Sequence, residues 1–459
     1  MANNNNRSVS DELRRARAKR KSSSRGLKIL LALCYALILL VLVGVGVWAY
    51  FKYYGHPEQN VEEMYFETDG ETMTEDGEPS APERAAESIS GTSLRRADQT
   101  YSFLVVGCDR AAWLSDVIMV AKYDVKSGKC TIMQIPRDTY VLCNRTLILD
   151  DNGRISPKNF TSGSGCKVNS VLWMGGLFAQ NELNRISKLV GGADEAELEK
   201  ICSESYLDID ADTLREYVGS TGKERSNIEY EIRMTFGMKY LSAMIKNYYG
   251  VPIDFCAQLN LDGFVNIVDA IGGVDVYVQE DMNYDDPYQD LHIHIKKGQQ
   301  HLNGKDAEGF IRFRYGYLAA DIARIDAQKI FMTAFIKKVM SISGVMNMND
   351  IVREIRENLI TNISVSDALY FGTNALDIDL NEIVMLTLPG TPQYIDNVSY
   401  YLGSRQAIIE YVNEYLNVFE SDLDDKYFFA RESASINTST APLTAGGISD
   451  EQPQLGFIH

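Results

Sequence analysis

The residues best suited to chemistry are acids and arginines set at the ends of apolar runs. Asp109 and Arg110 follow FLVVG, Asp116 opens DVIMVAKY, and Arg137 with Asp138 follows TIMQI inside IPRDTYV. Arg312 and Arg314 alternate in FIRFRY, so a strand there turns both guanidinium groups to one face. Asp321, Arg324 and Gln328 recur at i, i+3 and i+7, a single helix face. Arginine forks grip phosphoryl oxygens in pairs and stay charged when partly buried. Two carboxylates with open water positions suit Mg2+, a hard ion that prefers oxygen. Taken singly, each acid–arginine pair reads as an ordinary surface ion pair. An arginine pair among Phe310, Phe313 and Tyr315 is different, because charges in an apolar run face a partner or a ligand. Phosphoryl transfer fits the inventory, since it asks a protein mainly to position groups and neutralise charge.

Other chemistries find less support. No Ser-His-Asp order, GxSxG, Walker or GxGxxG pattern occurs. The seven cysteines show no CxxC spacing, which argues against structural zinc. Cys34 falls in a long apolar run; of the other six, Cys143 and Cys166 flank a Gly/Ser/Asn-rich loop and form the one candidate disulfide, with buried free thiols as the alternative. His292 and His294 in LHIHI share one face of a strand, which reads as a solvent-facing surface before it reads as a ligand pair.

The elements that must hold the charged residues alternate between strand and helix patterns. Buried-strand patterns cover 101–107 (YSFLVVG), 116–123 and 129–135, the last two joined by a hairpin connection with Gly128 in the turn. Residues 264–271 are helical in pattern, then Gly272 and Gly273 lead into a strand over 274–278, and 321–343 reads as a long amphipathic helix. The expected fold is an α/β/α sandwich around a central mixed sheet. An acid-rich helical stretch over about 177–227 reads as an insertion on this body, and 434–459 as a disordered tail.

Charge and hydropathy place the body. The 459 residues carry a net charge of −18, yet residues 1–28 hold nine Lys/Arg against two acids, a net of +7 that leaves −25 on the rest. Residues 29–51 contain no charge over 23 positions and end in aromatics, the length and border of a transmembrane helix rather than a cleaved signal peptide. The basic tail sets the N-terminus in the cytoplasm and the C-terminal domain outside, so the chain is expected in the cell membrane as a single-pass protein. Residues 52–100, with twelve acids and four bases, read as a disordered extracytoplasmic linker. The acidic balance excludes a general nucleic-acid binder.

FLVVGCDR (103–110), SDVIMVAKYDVKSGKCTIMQIPRDTYV (115–141), KVNSVLWMGG (167–176), VPIDFCAQLNLDGFVNIVDAIGGVDVYV (251–278), IHIKKGQQHLNGKDAEGFIRFRY (293–315) and DIARIDAQKIF (321–331) occur in an order that resembles the LytR-CpsA-Psr family of bacterial envelope proteins. The resemblance covers about 100–180 and 228–345, so the catalytic domain is expected over 101–433. It implies a membrane-anchored phosphotransferase that moves an anionic glycopolymer, of teichoic acid or capsular polysaccharide type, from a polyprenyl-pyrophosphate carrier to peptidoglycan, with the lipid in an apolar pocket. It also implies Mg2+ (or Mn2+ in its place) at Asp109 and Asp116. Arg110, Arg137, Arg312, Arg314 and Arg324 match the pyrophosphate-contacting arginines, while Lys167, Asp321 and Gln328 match other site positions. Either Asp321 or Asp109 is the base for the acceptor hydroxyl.

The chain also departs from the family pattern. Leu114 stands where an arginine is usual, Ala327 replaces the second arginine of the helix motif, and Ala323 replaces a glycine. These losses favour a rival reading, a non-catalytic lipid-carrier-binding or regulatory protein; a polyprenyl-pyrophosphate pyrophosphatase is the enzymatic rival. The retained acid pair and FIRFR favour transfer.

Overall fold

The computed structural model describes residues 55–59, 94–109, 114–288, 291–313, 320–341, 358–375, 378–429 and 443–444, the side chains of 320–323 and 443–444 excepted. The basic tail, the apolar run over 29–51 and most of the expected linker lie outside them. No helix among the described residues is long and apolar enough to cross a membrane.

The main unit is organised by a seven-stranded mixed sheet, in the order β11-β6-β1-β2-β3-β12-β15. Its strands are β1 (Thr100–Cys108), β2 (Ser115–Asp124), β3 (Lys129–Gln134), β6 (Phe255–Asn260), β11 (Leu359–Thr361), β12 (Ile383–Thr387) and β15 (Leu443–Thr444). β1 runs parallel to β6, and β3 parallel to β12; β2 is antiparallel to both of its neighbours. The β2–β3 hairpin closes as expected, with Gly128 at φ 68° in the left-handed region.

Two-stranded ribbons decorate the sheet: β4 (Tyr140–Cys143) with β5 (Ser164–Lys167), β7 (Val274–Val278) with β10 (Gly298–Leu302), β8 (Met282–Asp286) with β9 (Leu291–Ile295), and β13 (Gly390–Ile395) with β14 (Val398–Gly403). The β9 histidines face solvent while Leu291, Ile293 and Ile295 are buried. Gly272 and Gly273, at φ 80° and 78°, make the sharp entry to β7.

Helices cover both faces. On one side α1 (Val171–Ile186) and α4 (Gly222–Tyr249) pack over Leu104, Val106, Ile118, Val120 and Met133 of the sheet. Between them lie α2 (Glu195–Ser203) and α3 (Ala211–Gly219). The expected insertion over 177–227 is built into this core: residues 177–186 complete α1 with Phe178, Leu183 and Ile186 buried, and Leu198, Leu214 and Tyr217 join the same apolar cluster. On the other side lie α5 (Leu261–Ala270), α6 (Gly304–Arg312) and α7 (Ala320–Ser341), where Met332 and Ile336 of α7 pack with Ile132, Ile383 and Met385.

Two boundaries differ from expectation. Residues 94–100, read as linker, belong to the folded body: Arg96 pairs with Asp254 at 2.6 Å, both side chains almost fully buried. Leu443 and Thr444, inside the expected tail, extend the sheet against Met385 and Val384. A separate small unit comprises residues 55–57 and most of α8 (Val365–Ala375), where His56 Nδ1 lies 3.2 Å from the Tyr370 hydroxyl.

Candidate functional site

At the carboxyl ends of β1 and β3, chain irregularities present charge. Gly107 pairs with Val117 and Cys108 with Ser115, so Asp116 is the extra residue of a β-bulge. A bulge takes a side chain out of the normal alternation. Asp116 Oδ1 thereby accepts a 2.6 Å hydrogen bond from Arg137, three residues past the end of β3. The backbone locks the group together: Asn169 donates to the Arg137 carbonyl at 3.1 Å, Ser115 Oγ donates to the Asn169 carbonyl at 3.1 Å, and Val168 donates to the Thr139 carbonyl at 2.8 Å.

Asp138 joins this cluster from the next position. Its carboxylate lies 3.1 Å from Lys167 Nζ and 4.0 Å from Arg137 Nε. Lys167 also sits 5.9 Å from the centroid of the Tyr400 ring, which meets Tyr140 edge-on at 5.1 Å. All four charged side chains are partly exposed, between 20% and 37%, so their ion pairs can be exchanged for an incoming anion without exposing a deeply buried charge. Directly beneath, burial pushes the Cys108 thiol up to about 12, which keeps it protonated and removes it as a nucleophile.

The second part of the site comes from α6 and α7. Residues 304–312 form a helix, which corrects the strand expected for FIRFRY: Asn303 caps it by accepting from the Asp306 amide, and Arg312 occupies its last turn. The physical reason is an i, i+4 pair, Arg312 to the buried Glu308 at 2.7 Å, supported by Lys305 at 3.6 Å. Arg312 therefore belongs to a helix rather than a strand; Arg314, like Arg110, lies outside the described residues.

On α7, every residue from Arg324 to Phe331 is buried. Gln328 donates to the Ile311 carbonyl at 3.3 Å and accepts from Gln134 near the end of β3, which ties α6, α7 and the sheet together. Asp326 and Lys329 form a buried pair at 2.9 Å, with burial raising the Asp326 carboxyl above its ordinary range. Asp321 is in α7 with its side chain outside the described set.

Of the expected site residues, Asp116, Arg137 and Lys167 thus form one knot joined through Asp138; Gln328 is tied to Gln134 and to the Ile311 carbonyl, next to Arg312 in the chain; Asp109 stands directly after β1. Glu308 and Gln134 were missed, and Asp138, although named beside Arg137, was given no role in the site. Asp138 had a signal, since it adjoins Arg137 in IPRDTYV; Glu308 could have been found from its spacing to Arg312 once a helix was allowed. For the Mg2+ that the resemblance implies, Asp109 and Asp116 supply hard oxygen donors beside the strand ends. Among the described residues no group of three His, Cys, Asp or Glu side chains forms a metal cluster; Mg2+ held through one or two carboxylates and substrate phosphates needs none.

Charged side chains gathered at the carboxyl ends of parallel strands define an α/β protein of the kind that takes its ligand at that edge. The chain belongs to the LytR_cpsA_psr family, whose model matches residues 62–191 and 202–416. Among its relatives is the polyisoprenyl-teichoic acid–peptidoglycan teichoic acid transferase TagV of Bacillus subtilis, 28% identical over 214 residues, 46% of this chain and 54% of the relative. The TagU transferases of Bacillus cereus strain ATCC 14579 (33% over 193 residues; 39% of this chain, 60% of the relative) and of Bacillus anthracis (31% over 231; 47% and 73%) also match. The match thus spans less than two thirds of the length of the first two. Similar solved structures are B. subtilis TagV, at 22% identity and a TM-score of 0.45 over 68% of this chain and 94% of that one, and TagT bound to LIIa-WTA, at 17%, 0.46, 71% and 92%.

Proposed function

We propose that this protein is a membrane-anchored transferase that moves an anionic glycopolymer from a polyprenyl-pyrophosphate carrier to peptidoglycan, outside the cytoplasmic membrane. The observation that carries this reading is the exchangeable network of Asp116, Arg137, Asp138 and Lys167 at the strand ends, facing family relatives named for that transfer. A pyrophosphate brings several negative charges. It draws Arg137 and Lys167 away from their carboxylates and replaces two ion pairs with a bidentate contact from Arg137 and a charge contact from Lys167. Arg312, steadied by Glu308, and buried Arg324 add positive charge from α6 and α7.

Phe103, Val105 and Leu259 lie on the sheet face opposite the α1–α4 core, by the register of β1 and β6. Val105 is 36% exposed there, and the strip suits an isoprenoid chain. In the reaction the acceptor hydroxyl attacks the sugar-linked phosphorus. A new phosphorus–oxygen bond forms, the pyrophosphate bridge breaks, polyprenyl phosphate departs, and Asp109 or Asp321 takes the hydroxyl proton. Asp109 and Asp116 would hold Mg2+, which supplies neutralisation of the phosphoryl oxygens when bound.

The test incubates the full chain, purified in detergent, with polyprenyl-pyrophosphate glycan, Mg2+ and peptidoglycan oligomers. Mass spectrometry should find glycan joined to peptidoglycan through a phosphodiester. Released phosphate without that product would replace the reading with hydrolysis, and lipid binding with neither product would make the protein a carrier-binding one.

A further inference from the structure

The β4–β5 ribbon is short for the work it does. Each strand has four residues, the connection spans residues 144–163, and its open end carries Asp138 and Lys167. Four-residue strands closed by a long loop are marginal by themselves, because loop closure costs entropy that few ladder hydrogen bonds offset. The ribbon's sulfurs address this. Val141 pairs with Cys166 and Cys143 with Ser164, so Cys143 and Cys166 are diagonal neighbours on one face, and their Sγ atoms are 2.6 Å apart. That separation is well inside the contact distance of two unbonded sulfurs, although the two thiols stand free and farther apart than the roughly 2.05 Å of a disulfide bond.

We propose that Cys143 and Cys166 form a disulfide in the mature protein, a covalent clasp across β4 and β5 that holds Lys167 against Asp138. The extracytoplasmic placement proposed above is needed only to supply an oxidising compartment; the bond itself rests on the ribbon's geometry. Cys166 is the partly exposed partner and Cys143 is buried. The contact between the sulfurs, aided by Ser170, lowers the Cys166 thiol below its ordinary value and raises that of Cys143. With a disulfide oxidant, the Cys166 thiolate attacks one oxidant sulfur and releases one thiol. The Cys143 sulfur then attacks the mixed disulfide at Cys166 and releases the second. Two protons and two electrons leave the pair, and the oxidant is reduced to two thiols.

The experiment takes the full chain in detergent, incubates it with oxidised glutathione, blocks remaining thiols with a maleimide under denaturing conditions and digests it with trypsin. Arg145, Arg154 and Lys158 separate the two cysteines, so the expected product is peptide 138–145 joined to peptide 159–167, cleaved by reductant. Two of the seven cysteines should escape the maleimide. Recovery of both peptides maleimide-labelled, each capped by glutathione, or each joined to another cysteine would overturn the proposal. In a second arm, dithiothreitol should lower the thermal midpoint of the wild type by roughly 4 °C or more and leave Cys143→Ser unmoved; a wild-type midpoint indifferent to reductant would remove the clasp's structural role. Neither readout depends on transfer, so a failed transfer assay leaves this result intact.

Discussion

The two faces of the central sheet are packed in opposite styles. Beneath α1 and α4 the contacts are almost wholly apolar, and the helices approach so closely that a Cβ on Gly175 would lie 2.8 Å from Gly237 Cα. Beneath α7 the buried residues include Arg324, Asp326, Gln328 and Lys329, opposite Gln134 of β3. Buried polar groups lower stability unless each finds a partner, whereas apolar contacts need none. The first face therefore supplies stability that offsets the cost of holding charged groups in fixed places on the second.

Substitutions on each side should separate the two roles. Arg312→Ala should cut transfer per folded molecule by about 100- to 1000-fold, the range for losing one preorganised charge-stabilising donor, and lower the thermal midpoint, because buried Glu308 loses its nearer cation. Near-normal turnover would refute its place in the site. Gly237→Ala acts on the other face: its Cβ would meet the Leu172 carbonyl oxygen at 2.7 Å. Overpacking costs about 1–3 kcal/mol, of which better helix propensity returns up to about 1 kcal/mol, so denaturant unfolding should show a net loss while turnover per folded molecule stays constant. Glu308→Gln keeps shape but removes the charge that holds Arg312. Hydrogen bonds to charged groups contribute about 1.5–3 kcal/mol, and donor KM should rise roughly tenfold. Arg215→Ala breaks two exposed pairs, with Asp212 on α3 and with Glu195 on α2, and should change stability by less than about 1 kcal/mol. If it matters more, the region around α2 and α3 is doing something that neither face explains.

Much of this was legible in residue order, and the exceptions have physical causes. The β2–β3 hairpin, the Gly272–Gly273 entry to β7 and the long α7 follow from turn chemistry and periodicity that act locally. FIRFRY misled because a six-residue run fits a two-residue and a 3.6-residue period almost equally well; the deciding contact, Glu308 to Arg312, is visible only after the helix is assumed. The bulge at Asp116 depends on how β1 and β2 pair, which no single strand specifies. Residues 94–100 look like linker because their composition is polar, yet Arg96 finds Asp254, about 160 positions away, and that pairing makes the segment part of the body. For the site, Arg137, Arg312, Gln328 and the acids were named from type and spacing, but Asp138 as the bridge between Arg137 and Lys167 emerged only from distances.

The parallel pairing of β3 with β12 sets a constraint on how the molecule comes into being. Ile132 lies beside Met385, so one long edge of the sheet waits for a partner made roughly 250 residues later. Pairing across such separations is slow, and an open strand edge invites association with other chains. Synthesis runs from the N-terminus, so the nascent chain carries an unsatisfied edge through most of its production. A truncation before residue 383 should therefore aggregate rather than yield a smaller folded protein. The Asp116–Arg137 knot, laid down early in the chain, is given its final setting by almost the last strand to arrive.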